Sequence, residues 1–363
     1  MDARELHIVD RVAPTEFYPS VPANFVLADG GPVAAETVLE PTVTPYCLDD
    51  EHRRVLFAQL PAGVDLAAAP FCYLEQYRSA ERFIAVPYEV VHRLADGLPD
   101  PDLTMVYSTG RCGSTLLSRA LNAVDGVRSY SEPDVLSDLA TLRHWEPGRD
   151  EEYARLLGSC VRLLGRDTGT LAVKPRGGGI HLADLVSARF PAAHNLFLYR
   201  NAERWMESMH AGFTGGLPTQ AQPVFLRYLL AQAPLLATFA QQHERPLELA
   251  EGYALTWLSV LEKYVALRQA GVPFLAVPYE QLTGRPRETV LEVLRWCGLP
   301  AGAVDAVLAT YRTDSQEGTA LSRASRERGT VPPLDADDVA LARSVLAGRP
   351  TVNTPDFDAA AVS

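Results

Sequence analysis

Apolar positions along this chain follow two periods, and the two alternate. Met105-Val106-Tyr107 is a short continuous apolar run, read as a strand, and Leu117, Leu121 and Val124 after it recur at helical spacing. A helix over Tyr153 to Leu164 precedes the strand Thr170–Val173, and a helix over Ile180 to Phe190 precedes the strand Asn195–Tyr199. The long helix Leu249 to Ala270 carries Tyr253, Trp257, Leu261, Tyr264 and Leu267 on one stripe, read as core. The strand Val272–Val277 and a helix from Pro286 to Cys297 complete the series. This alternation, from Leu103 to Leu299, predicts an α/β fold: a three-layer sandwich with a mostly parallel central sheet.

The pattern differs upstream. Proline-rich pieces come first, then a strand over Arg54–Leu60, a helix over Pro70–Ala80, a strand over Phe83–Val86 and a helix over Tyr88–Leu94. Residues 1–100 are expected to be an N-terminal extension or a small α+β accessory lobe, with Leu98–Asp102 as linker. Residues 101–335 form the main domain, and 336–363 a helix (Ala336 to Leu346) with a loose end.

Composition narrows the chemistry. A net charge of −12 over 363 residues argues against broad nucleic-acid binding, yet a few focused cations could still hold an anionic nucleotide. The five cysteines form no C-x-x-C pair, which reads as reduced thiols in a cytoplasmic protein. The N-terminal MDARELHIVDRV lacks a signal-peptide pattern, and no apolar run reaches membrane-spanning length, so no membrane partner is expected. Cys47, His52, Cys72 and His92 are too scattered for a metal site, and no metal is expected.

The candidate chemistry centres on Ser108-Thr109-Gly110-Arg111-Cys112-Gly113-Ser114-Thr115, a loop between the first strand and its helix. The first N–H groups of a helix have no partner within it and carry partial positive charge, so the loop forms an anion cradle. Gly110 and Gly113 allow close backbone approach, Arg111 adds a forked permanent cation, and Ser114 and Thr115 add hydroxyls. Cys112 is either a reactive thiol or a small filler. The loop is not a Walker A sequence: no Lys follows Gly113, and no Gly lies five residues before it.

Arg111-Cys112-Gly113-Ser114-Thr115 resembles, position by position, the 5′-phosphosulfate loop of sulfotransferases that use 3′-phosphoadenosine 5′-phosphosulfate (PAPS). Further motifs follow in that family's order across residues 103–330. Arg200 ends a strand and Ser208 lies eight residues on, a spacing that in the family holds the 3′-phosphate; Ala202 stands where the family often has Pro. Pro278-Tyr279-Glu280-Gln281-Leu282 resembles the stretch whose Tyr contacts the adenosine. Thr313 and Ser315 match a loop that touches the adenine, and Arg328-Gly329 loosely matches a basic segment around the 3′-phosphate, with Arg323 or Arg326 as alternatives.

Glu132 follows a strand over Val127–Tyr130 and precedes Pro133. Ligands of open α/β sheets gather at carboxyl ends of strands, which suits Glu132 as a base. The other reading makes this an N-cap region, with Asp134 or Ser131 capping the next helix. The resemblance favours the base. It also implies that Lys174, at another strand end, meets the sulfuryl group, and offers His181 as the alternative base, beyond Gly177-Gly178-Gly179, which read as a mobile lip or a close backbone approach to substrate. Helices around 214–245 would receive the acceptor, a small molecule or carbohydrate.

The resemblance thus implies a P-loop-like, metal-free sulfotransferase that moves a sulfuryl group from PAPS, leaving PAP, to a hydroxyl or amine. Two other classes stay open: a P-loop-type kinase or NTPase, and a non-catalytic nucleotide-binding protein of the same fold. The acceptor and the oligomeric state have no readable signal.

Overall fold

A computed structural model describes residues 3–12, 19–214, 229–230, 233–243, 245–328 and 332–362. The chain falls into two compact units, one of residues 1–105, 118–175 and 182–193, the other of residues 106–117, 176–181 and 194–363.

The first unit opens with β1 (Ala3–Arg11), β2 (Phe25–Val33), β3 (Val43–Asp49), β4 (Arg54–Gln59) and β5 (Arg82–Pro87). They form an antiparallel sheet in the order β2-β1-β5-β4-β3. The sequence pattern predicts β4 and β5 and misses the other three, for physical reasons. Pro32 lies in β2 and Pro45 in β3, and proline argues against a strand unless that strand is at a sheet edge; β2 and β3 are the two edges. A register shift falls between Pro45 and Cys47, where the missing N–H is tolerated. In β1 only Ala3 and Leu6 are buried, so no period of two is visible. Phe25, Tyr46 and Phe83 pack as an aromatic cluster with centroids 4.7–5.8 Å apart. Helices α1 (Cys72–Ser79) and α2 (Tyr88–Asp96) accompany this sheet.

The same unit contains the first half of β6 (Asp102–Ser108), the end of α3 (Ser114–Leu121), β7 (Val127–Ser131), α4 (Asp134–Trp145), α5 (Asp150–Gly165), β8 (Thr170–Lys174) and α6 (Ala183–Arg189). β8 pairs in parallel with β6 and with β7; Val127 lies opposite Thr170 and Ser131 opposite Lys174. Glu132 and Lys174 therefore leave neighbouring strands at the same, carboxyl end.

The second unit holds the end of β6, the loop into α3, a 3₁₀ turn over Gly177–Leu182, β9 (His194–Tyr199), α7 (Ala202–Met209), α8 (Pro234–His243), α9 (Leu249–Gln269) and β10 (Leu275–Pro278). α10 (Tyr279–Gly284), α11 (Pro286–Trp296), α12 (Val304–Ala309), α13 (Arg323–Arg328) and α14 (Ala336–Ala347) follow. β9 and β10 are parallel, and the strand order is β10-β9-β6-β8-β7. The aromatic stripe of α9 is buried: Tyr253, Trp257 and Tyr264 are at most 1% exposed.

The chain after α14 is not loose. Ala202 N–H donates to the Pro355 carbonyl (2.9 Å), Tyr264 Oη to Ala359 (3.0 Å) and Tyr199 Oη to Asp358 (2.5 Å), while Val352 and Ala359 are fully buried. Isolated small residues anchor this segment, so it has no hydrophobic period to read. Among the described residues no helix is long and apolar enough to cross a membrane.

Candidate anion cradle and carboxylate–lysine pair

In the second unit, the loop after β6 is built by backbone conformations that few residues adopt. Gly110 (φ +77°) and Gly113 (φ +81°) are left-handed, and so is Arg111 between them (φ +51°). A β-carbon on Gly113 would lie 2.7 Å from Leu282 Cδ2 and about 3.5 Å from the Tyr279 ring, so glycine is required there twice over. Thr109 N–H donates to Leu198 of β9 (3.1 Å), and its carbonyl accepts from the buried Trp205 indole (2.7 Å). The Cys112 thiol is buried and donates to the Leu198 carbonyl (3.3 Å), a packing role. Ser108 Oγ accepts from Gly110 N–H (3.2 Å) and donates to Ser114 Oγ (3.1 Å); Leu117 N–H closes the first helical bond on Gly113 (3.0 Å). Ser114 and Thr115 are buried at that turn.

Two cations meet this loop. Arg111 reaches Ser208 of α7 through Nε (3.1 Å) and Gln316 through Nη1 (3.4 Å). Arg200, at the end of β9, stacks on the Tyr279 ring with its guanidinium carbon 4.4 Å from the centroid, and its Nη1 donates to the Arg111 carbonyl (3.4 Å). Its backbone carbonyl accepts from the Trp257 indole (3.0 Å), and its buried Nε has no hydrogen-bond acceptor among the described residues. Asn201 caps α7, accepting from Arg204 N–H (3.0 Å), which fixes the helix that carries Ser208. Loop, Arg200, Ser208 and Tyr279, distant in sequence, are thus brought together.

The remaining residues of the second unit fall as follows. Thr313 is exposed, and its hydroxyl donates to Thr310 of its own turn (2.9 Å); this segment reaches Arg111 through Gln316 instead. Asp314 holds the segment by accepting from Gln316 N–H (3.0 Å) and Arg323 N–H (2.6 Å), and Ser315 lies between. His181 Nε2 is 3.4 Å from Ser259 Oγ of α9. The glycines before it form the 3₁₀ turn, where Gly177 sits 3.5 Å, by its β position, from the Ser108 carbonyl. Gly329, the Arg326 and Arg328 side chains and most of 214–245 lie outside the described residues.

In the first unit, Lys174 forms an ion pair with Glu132, and both are shielded, at 5% and 13% side-chain exposure. Glu132 is the second left-handed candidate residue (φ +56°); among the described residues only Arg53, Arg111 and Glu132 have positive φ without being glycine. Glu132 N–H donates to the Lys174 carbonyl (2.6 Å), and its own carbonyl accepts from Tyr73 N–H of α1 (3.3 Å). No side chain caps α4; Asp134 instead accepts from Ser20 N–H (3.0 Å). The N-cap alternative for Ser131 or Asp134 is therefore absent from this helix. Burial, reinforced by the Asp134 and Glu132 carboxylates, holds the Cys72 thiol above its ordinary range.

No protein-family model and no curated protein matches the chain. Solved structures that resemble it include the sulfotransferase domain of a Synechococcus olefin synthase (18% identity, 70% of this chain and 97% of that one, TM-score 0.37). A sulfotransferase of Mycobacterium avium (13%, 70% and 78%, TM-score 0.43) and one of Mycobacterium tuberculosis (16%, 72% and 82%, TM-score 0.40) are others. Likeness at this level carries no weight for function, which rests on the residues.

Three contributors escape the sequence reading: Trp205, Trp257 and Gln316. The tryptophans are core residues that also hydrogen-bond the loop and the Arg200 carbonyl, and nothing in helical spacing separates those two roles. Gln316 stands beside the Thr313 and Ser315 of the family-like stretch, so its neighbourhood was the available signal.

Proposed function

We propose that this chain is a sulfotransferase, moving a sulfuryl group from PAPS to a hydroxyl or amine of a small-molecule or carbohydrate acceptor. The observation that carries the reading is Arg200: a guanidinium stacked on Tyr279, tied to the cradle carbonyl, with a buried donor that has no acceptor among the described residues. A buried unpaired N–H costs on the order of 1–3 kcal/mol, and a cation that keeps one beside an anion cradle suits a phosphate ligand.

The residues present fit a 3′,5′-bisphosphorylated nucleotide. Loop N–H groups, Arg111, Ser114 and Thr115 would hold its 5′-phosphate side, Arg200 and Ser208 its 3′-phosphate, and Tyr279 its adenosine. When bound, PAPS supplies the activated sulfuryl group. Lys174 would offer positive charge to the sulfuryl oxygens, and Glu132 would accept the acceptor's proton. Thr313, Ser315, Arg328 and Gly329 remain proposed nucleotide contacts, and His181 the competing base. Left-handed φ at Arg111 and at Glu132 supports the assignment of both, since such backbone costs roughly 1–3 kcal/mol and concentrates at functional sites.

The kinase alternative lacks the P-loop lysine. The discriminating experiment incubates the protein without acceptor and follows PAPS and, separately, ATP with Mg²⁺. Slow PAP formation from PAPS with ATP intact supports the proposal; ATP turnover with PAPS intact overturns it.

A further inference from the structure

The first unit holds a cavity of about 340 Å³ that none of the chemistry above uses. Its lining combines Leu60, Leu66 and Leu164 with Arg128, Tyr130 and Arg166. Leu60 and Leu66 belong to the buried core of the antiparallel sheet, and Tyr130 packs against that core, so the apolar wall is fixed. Arg128 and Tyr130, two apart on β7, share one face of the strand.

The cationic side is unusual for a chain of charge −12. Arg166 is 8% exposed, yet among the described residues its Nη groups donate only to neutral carbonyls: Leu163 (2.6 Å), Glu40 (2.6 Å) and Val43 (2.7 Å). Its carboxylate neighbour is Asp167, which also lines the cavity, 3.4 Å from Nε and mostly exposed. Burial lowers the Arg166 pKa from its ordinary value, the mark of a charge short of compensation. The neighbouring Tyr130 phenol raises the Arg128 pKa from its ordinary value, and the Arg128–Asp65 distance is 3.8 Å. Burial raises the phenol's pKa while Arg128 and Arg166 both oppose that rise, so the two guanidinium groups act on one hydroxyl.

Two permanent cations and a phenol beside an apolar wall complement a molecule with one anionic head and an apolar body, and the volume lies within the range of small-ligand sites. We propose that this cavity binds a small amphipathic anion, a carboxylate or sulfate ester on a short apolar body, with Arg128 and Tyr130 at the head and the three leucines along the body. The site is distinct from Glu132: Arg128 lies near the start of β7 and Glu132 follows its end, and the three residues of strand from Arg128 to Ser131 alone span roughly 10 Å. It does not depend on the sulfotransferase reading.

Isothermal titration of the full chain with octanoate, octyl sulfate, 1-octanol and inorganic sulfate tests the proposal. One or both amphipathic anions should bind at least tenfold more tightly than octanol or sulfate, and which of the two wins names the head group. Arg128 is half-exposed, so Arg128→Ala should keep the melting temperature and weaken anion binding tenfold or more. Tyr130→Phe, which removes only a hydroxyl, should weaken it severalfold. Equal binding of octanol, unchanged affinity in Arg128→Ala, or no binding of either anion at millimolar concentration would each overturn the site.

Discussion

Gly113→Ala and Gly110→Ala make a matched pair for the geometry of the cradle. Both glycines are left-handed, so alanine at either position costs about 1–2 kcal/mol of backbone strain. Space separates them. A β-carbon on Gly110 would meet its nearest neighbour, Trp205 Nε1, at 3.9 Å, an ordinary contact. On Gly113 it would meet Leu282 Cδ2 at 2.7 Å, and Leu282 is fully buried, so the neighbours must repack. Overpacking of that kind adds about 1–3 kcal/mol. Gly113→Ala should therefore lose about 2–5 kcal/mol, against about 1–2 for Gly110→Ala. Urea unfolding followed by tryptophan fluorescence measures the difference, since Trp205, Trp257 and Trp296 all lie in the second unit. Adding Leu282→Ala to Gly113→Ala should reveal favourable coupling of about 0.5–3 kcal/mol, because the clash has gone. Equal losses at the two glycines, with no coupling to Leu282, would refute the packing of Tyr279 and Leu282 against the loop.

Three further outcomes are expected. Glu132→Gln leaves Lys174 buried without its counter-charge and should cost about 3–5 kcal/mol, largely recovered by adding Lys174→Met; an unchanged melting temperature in the single variant would contradict the pair. With respect to catalysis, Glu132→Gln should lose at least 10²-fold in turnover and His181→Asn far less, while Arg111→Ala should lose about 10²- to 10³-fold at saturating PAPS; steady-state rates decide all three. A hydrogen bond from Arg149, aided by Tyr88, holds the Asp50 carboxyl below its ordinary range, so its contribution to stability is complete above pH about 4 and is lost as pH falls through the folded value. Asp50→Asn should flatten that acid limb of the urea midpoint, and an unaltered limb would remove the pair from the account.

The parts legible in sequence were those with a period or a local motif. β6, β8, β9 and β10 have contiguous apolar runs, and the helices between them apolar stripes, so the α/β core and its parallel strands could be read. The cradle could be read because its conformational demands fall on adjacent residues, Gly110 to Thr115. The antiparallel strands β1 to β3 could not, because edge prolines and one-sided burial erase the alternation that marks a strand. The Glu132–Lys174 pair was half legible: each residue ends a strand, but their pairing depends on β7 and β8 being neighbours, which no local pattern encodes. The same holds for Gln316 and Arg111, 205 positions apart and joined only by the fold.

The central claim is that the cradle, Arg200 and Ser208 recognise a nucleotide bearing a 3′-phosphate. The most direct measurement compares the heat stability of the wild-type chain and Arg200→Ala with PAP, with ADP, which lacks the 3′-phosphate, and with ATP plus Mg²⁺. A ligand at a hundredfold excess over its Kd stabilises by about 2.7 kcal/mol. PAP should therefore raise the wild-type melting temperature well above the shifts given by ADP and ATP, and Arg200→Ala should lose most of the PAP shift while keeping the ADP shift. Equal shifts for PAP and ATP, or a PAP shift that survives in Arg200→Ala, would contradict the account.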